Sequence, residues 1–188
     1  MIPSFCFPLI DAVDIDPGLI GMARRNGELN GLSGEVSFFV SDLREHRRDF
    51  RAGAYDIVVM NPPYDEYGRG RISPSDAMAR AKHGESCTLV EVVAATKYLL
   101  RNGGKFFLVM RAKRTAELFA LLAACNVRAK RMVAVHPRPG REASVVLVEA
   151  VRAAGDGLSI EPPLFICGPD GEYTEELLAA YRTGECRS

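Results

Sequence analysis

The sequence predicts an α/β domain on a mostly parallel sheet that closes with one antiparallel hairpin. Two observations predict it. Apolar runs of strand length alternate with stretches of helical periodicity over residues 9–124. Two late apolar runs, residues 130–135 and 143–151, are then joined by the short link His136-Pro137-Arg138-Pro139-Gly140-Arg141, which permits only antiparallel pairing.

The elements follow in order. A strand is expected over residues 9–14. Asp16 and Pro17 then supply an N-cap and a first-turn proline for a helix that stops near Asn30-Gly31, where glycine accepts the left-handed conformation. Strands are expected over residues 36–40 and 55–60, the second ending in Asn61-Pro62-Pro63-Tyr64. A loop rich in Gly, Arg, Ser and Pro occupies residues 65–84, and a helix over residues 86–100 carries Leu89, Val92, Val93, Thr96, Leu99 and Leu100 on one face. Gly103-Gly104 should break it before a strand over residues 105–110. A helix over residues 114–124, the hairpin, and a short helix over residues 175–181 complete the chain.

Length and composition bound the function. The 188 residues suffice for one domain, residues 1–188, with a continuous core. No apolar run reaches bilayer length, and no basic residue precedes the apolar N-terminal stretch, so neither a membrane span nor a secretory signal is expected. Five scattered cysteines without a C-x-x-C pair argue against zinc and disulfides and for reduced thiols in a cytoplasm. His46, His83 and His136 lack partners at metal-ligand spacing, and no metal is expected. Lys plus Arg balances Asp plus Glu at 24 each, but residues 101–141 hold ten bases and one acid. That asymmetry points either to a polyanion on one side of the fold or to solvated faces.

Asn61-Pro62-Pro63-Tyr64 is the strongest chemical signal. It follows an apolar strand without a spacer, at the carboxyl edge where such sheets hold ligands. A buried Asn there needs partners, and two prolines leave carbonyls without local N–H competitors. The group suits methylation of a planar amine such as that of adenine, whose nitrogen lone pair is delocalised into the ring. The Asn61 side-chain oxygen and the Pro62 carbonyl can each accept one amine hydrogen, aim the lone pair, and stabilise the positive charge that grows during transfer. Tyr64 can stack on the base beside Pro63, and a nucleic acid must first present that base unstacked. Asp14, at a strand end, suits ribose hydroxyls, since Asp16 is the better helix cap. Asp42 is placed to accept from an adenine amine between the apolar walls Ile15 and Leu43, or simply to cap a helix. Arg138 and Arg141 flank the proline-rich link, and Arg111, Lys113 and Arg114 follow another strand end. Phosphate contacts and plain solvated charge both fit these five.

A parallel sheet with one antiparallel hairpin is the Rossmann-like architecture of class I methyltransferases. The chain resembles the bacterial tRNA (adenine-N6)-methyltransferases that modify the adenosine beside the anticodon of one valine tRNA. The matching text is VDIDP at Val13, RRNGELNGL at Arg24, SDL at Ser41, YDIVVMNPPY at Tyr55 and GGKFFLVM at Gly103. It continues with HPRPGREASVVLVEA at His136, LSIEPPLFI at Leu158 and GEYTEEL at Gly171. NPPY is shared by many amino methyltransferases, whereas the last three blocks are particular to this group. The resemblance implies S-adenosyl-L-methionine as cofactor and tRNA as partner. It implies Asn61, Pro62 and Tyr64 as catalytic residues, with Asp14, Ile15, Asp42, Leu43 and Asn61 at the cofactor. Pro63, Tyr64, Arg138 and Arg141 fall at the substrate.

The family's first strand, glycine-rich cofactor loop and first helix, roughly 30 residues in such a unit, have no counterpart here. Weak cofactor binding by the chain alone is therefore expected unless a homodimer partner, a separate segment or an altered N-terminus covers the gap. Protein glutamine or DNA adenine as substrate, and a non-catalytic RNA-binding remnant, are the alternatives.

Overall fold

A computed structural model describes residues 9–32, 34–62 and 87–183. They fall into two compact units, residues 9–50 with Cys87 and residues 51–62 with 88–183, each with its own sheet.

The first unit is a β-α-β element followed by short helical turns. Strand β1 (Ile10–Asp14) pairs in parallel with β2 (Val36–Val40), from Ile10 opposite Val36 to Asp14 opposite Val40. Helix α1 (Pro17–Leu29) connects them. The Asp16 carboxylate caps it, accepting from the N–H groups of Gly18 at 2.7 Å and Leu19 at 3.4 Å, and Gly31 beyond its end has φ +72°. Helix α1 approaches β2 closely: a Cβ on Gly27 would meet the Phe38 ring at 3.0 Å. After β2 come a 3-10 turn (Leu43–Glu45) and the one-turn helix α2 (His46–Asp49).

The second unit holds the larger sheet. Its elements are β3 (Tyr55–Met60), α3 (Leu89–Leu99), β4 (Leu100–Arg111), a 3-10 turn (Ala112–Arg114), α4 (Thr115–Ala124), β5 (Val127–His136), β6 (Val145–Arg152), β7 (Ser159–Ile160), β8 (Leu164–Phe165) and α5 (Glu175–Thr183). The strand order is β3-β4-β6-β5-β7, with β8 also on β5. Strand β3 runs parallel to β4, and β6 runs antiparallel to both β4 and β5, as the short link requires. Helix α3 packs on β3 and β4, and α4 packs on β5. Phe106, Leu108 and Met110 alternate inward along β4 and meet Ala150, Val148 and Val146 of β6; all are buried, as are Val92 and Val93 of α3 and Leu118 and Leu122 of α4. Each such Val, Leu, Phe or Met side chain contributes about 1.5–3 kcal/mol through burial.

Three details depart from the sequence expectation. Helix α3 starts at Leu89, because Thr88 and Glu91 form a reciprocal capping box: Thr88 N–H donates to Glu91 Oε2 at 2.7 Å and Glu91 N–H to Thr88 Oγ1 at 3.3 Å. Gly103-Gly104 does not end the helix, which stops at Leu99, but lies inside β4. Tyr55 pairs with Leu100 and Ile57 with Lys105, so β4 takes five steps where β3 takes two, and Gly103 (φ +76°) absorbs the excess. A Cβ on Gly104 would stand 2.9 Å from the Arg101 carbonyl oxygen, so glycine is required there. The parallel additions β7 and β8 were not expected, since two-residue strands carry no readable periodicity.

Candidate active site

In the first unit, Asp14 and Asp42 come to the same carboxyl edge. Asp14 pairs with Val40 at the last rung of the β1–β2 ladder, and Asp42 lies two residues beyond Val40. Asp14 is half-buried, and one of its carboxylate oxygens accepts from the Asp16 N–H at 2.8 Å. Ile15, 37% exposed, stands beside it as an apolar wall. Asp42 is the N-cap of the 3-10 turn, accepting from the Arg44 N–H at 2.9 Å. The Arg44 side chain also grips both of its oxygens, with Nε at 3.0 and 2.9 Å and Nη2 at 2.5 Å. That guanidinium holds the Asp42 carboxyl below its ordinary range, against the upward push of partial burial. A carboxylate has about four lone-pair sites, so little of Asp42 remains for a further donor. Leu43, half-buried, opens the turn, and its carbonyl meets His46 Nδ1 at 2.8 Å.

Ser41 is a residue that the sequence reading passed over. It is 6% exposed, its N–H donates to the Asp14 carbonyl at 3.0 Å, and its hydroxyl donates to Asp49 Oδ2 at 2.5 Å. Its only sequence signal was its place in SDL between an apolar strand and an acid.

In the second unit, Asn61 and Pro62 follow β3 directly, past the last ladder pair of Met60 with Leu108. Pro62 is buried, and Asn61 is exposed rather than buried as expected, at the end of a strand that among the described residues is paired on one side only. Pro63 and Tyr64 lie outside the described residues. The ladders bring two further loops to this carboxyl edge. Arg111 at the end of β4 pairs with Val145, and Val145 pairs with Val135 near the end of β5. The Ala112 N–H donates to the Ser144 carbonyl at 3.1 Å, joining the turn after β4 to the β5–β6 link that carries Arg138 and Arg141. Both arginines are exposed and line a shallow depression with Pro137, Gly140 and Glu142.

Half of the ten bases of residues 101–141 are paired with acids of the same unit. Arg101 pairs with Asp56, Lys105 with Glu149, Arg114 with Glu117, Arg128 with Asp156, and Arg131 with Glu149 and Glu161. Lys130 donates to the carbonyls of Gly155 and Asp156. Part of the asymmetry along the sequence is therefore an exchange with acids brought alongside by the fold.

Parallel strands with an antiparallel hairpin, carrying acids and an Asn-Pro step at their carboxyl ends, define a class I methyltransferase fold. A solved structure of a predicted O-methyltransferase from Agrobacterium tumefaciens shares it with TM-score 0.71 at 19% identity, over 95% of this chain and 78% of that one. The family model of the methyltransferase small domain matches residues 8–132, and the chain belongs to that family. Among curated relatives, the tRNA1(Val) (adenine(37)-N6)-methyltransferase of Dyadobacter fermentans is 26% identical over 180 residues, which is 93% of this chain and 73% of the relative. The Aeromonas salmonicida protein of the same name is 30% identical over 140 residues, covering 74% of this chain and 57% of the relative.

Proposed function

We propose that the chain serves S-adenosylmethionine-dependent methyl transfer to the exocyclic N6 amine of adenine in tRNA, at the adenosine beside the anticodon, in the cytoplasm. The observation that carries this reading is the Asn61-Pro62 step immediately past the last rung of β3. The names of the relatives at 26–30% identity support the substrate.

When bound, the cofactor supplies a methyl group on a sulfonium, a good electrophile with no need of a metal. Asp14 fits its ribose, with one oxygen left for two vicinal hydroxyls, while Ile15 and Leu43 offer apolar surface to its base. Asp42 is assigned to the base amine, which must compete with the Arg44 side chain for its oxygens. The Asn61 side-chain oxygen and Pro62 carbonyl each accept a hydrogen of the target amine. Those two bonds orient the nitrogen, draw its lone pair out of the ring, and stabilise the positive charge that develops there. The excess proton then leaves to water, so no side-chain base is required. Pro63 and Tyr64 are assigned to the target base.

The test is formation of N6-methyladenosine in tRNA that lacks it, read by nucleoside mass spectrometry. Asn61→Ala should reduce turnover by on the order of 10²–10³, as loss of one preorganised polar contact does, with cofactor binding retained. Full activity in that variant contradicts the assignment.

A further inference from the structure

The ten bases of residues 101–141 divide sharply by position. Five (Arg101, Lys105, Arg114, Arg128, Arg131) are held by acids, Lys130 is held by carbonyls, and Arg111 makes interactions of its own. Among the described residues no ion pair reaches the side chains of Lys113, Arg138 or Arg141, and all three are exposed. They sit in the two loops that the Ala112–Ser144 hydrogen bond joins, on the edge of the sheet where β3 delivers Asn61. The β5–β6 link is braced: Arg141 N–H donates to the Arg138 carbonyl at 3.2 Å, the His136 ring nitrogen Nδ1 meets the Arg141 carbonyl at 2.7 Å, and Gly140 turns at φ +76°. Two of the three cations are therefore presented from a backbone already folded back on itself.

We propose that Lys113, Arg138 and Arg141 form a cationic edge that holds the phosphates of the RNA flanking the target adenine, while the other seven bases contribute nothing to RNA binding. This inference rests on the tRNA reading above. Exposed cations without acid partners release counterions from a polyanion, whereas a paired cation must first give up its acid. Glu142, which lines the same depression, opposes the phosphates.

The test is binding of the full chain to unmodified tRNA, without cofactor, by fluorescence anisotropy at salt between about 50 and 200 mM. Replacing Lys113, Arg138 and Arg141 together by Ala should lower the slope of log affinity against log salt by about 2, near 0.7 per lost phosphate contact on single-stranded RNA. Arg101→Ala with Arg128→Ala should leave the slope unchanged. Glu142→Gln alone should tighten binding several-fold, an effect that damage to the fold cannot produce. An unchanged slope in the triple variant, an equal loss in the paired-arginine control, or a Glu142→Gln variant that binds no tighter would overturn the proposal. So would equal affinity for polyglutamate, which would make the edge a site for acidic protein. Asn61→Ala should keep the slope, so loss of methylation with intact binding bears on the proposed function and not on this edge.

Discussion

The backbone N–H of Ser41 donates to the carbonyl of Asp14 at 3.0 Å, fastening the turn that carries Asp42 to the strand end that carries Asp14. The spacing of the two candidate cofactor acids is thus set by main-chain bonding and not by the acids themselves. The Ser41 hydroxyl extends the link to Asp49 of α2.

Asp49 reports on that link. Its carboxyl is held below the ordinary range first by Arg48 and then by the Ser41 hydroxyl. Ser41→Ala should move the Asp49 titration upward, with Arg48 keeping part of the depression, as read by carbon NMR. A depressed carboxylate stabilises the fold above its ordinary value of 3.8 and loses that contribution as pH falls through the lower folded value. Ser41→Ala should therefore diminish the loss of stability on the acid side. An unmoved titration would mean that the hydroxyl does not reach Asp49 in solution.

Asp14 and Asp42 should differ in their effect on the cofactor. Arg44 already occupies most of the Asp42 carboxylate, so Asp14→Asn should weaken S-adenosylhomocysteine binding more than Asp42→Asn, measured by calorimetry. Arg44→Ala should return the Asp42 titration toward 3.8 and leave the neutral-pH charge of Asp42 unchanged. The reverse ranking of the two Asn variants would remove Asp14 from the ribose.

Stability should concentrate in the larger unit. Phe106 is fully buried, and Phe106→Ala should cost about 3–5 kcal/mol in urea unfolding. Thr88→Ala removes half of the capping box and should cost ~1 kcal/mol. Gly104→Ala forces a Cβ against the Arg101 carbonyl and should cost about 1–3 kcal/mol. A Gly104→Ala protein as stable as the parent would mean that the bulge relaxes freely.

Much of the fold was legible because local chemistry agreed with tertiary packing. Asp16, Pro17 and Gly31 mark α1 by the same interactions that the structure contains, and the short link after His136 leaves only an antiparallel return. Glycines misled where they serve a bulge: Gly103-Gly104 reads as the end of the helix, yet it lies inside β4, where Gly103 absorbs the residues that have no partner on β3. The capping box at Thr88 and Glu91 was readable in principle and overlooked in favour of apolar periodicity. Within the candidate site, Asp14 and Asp42 were legible as acids at strand ends, but the grip of Arg44 on Asp42 was not, since an Arg two residues from an Asp usually points to solvent. The charge asymmetry was real in sequence and partly cancelled in the fold, because Glu149, Asp156 and Glu161 return to neighbouring positions that composition cannot reveal.

The most direct test of the central claim is methyl transfer from labelled S-adenosylmethionine to tRNA lacking N6-methyladenosine. It should be run on the chain itself, with the Dyadobacter fermentans relative as the positive control. The account predicts N6-methyladenosine at the adenosine beside the anticodon, with turnover lost in Asn61→Ala and cofactor binding retained. A protein that binds both cofactor and tRNA yet leaves the adenine unmethylated, or that transfers methyl equally well without Asn61, would contradict it.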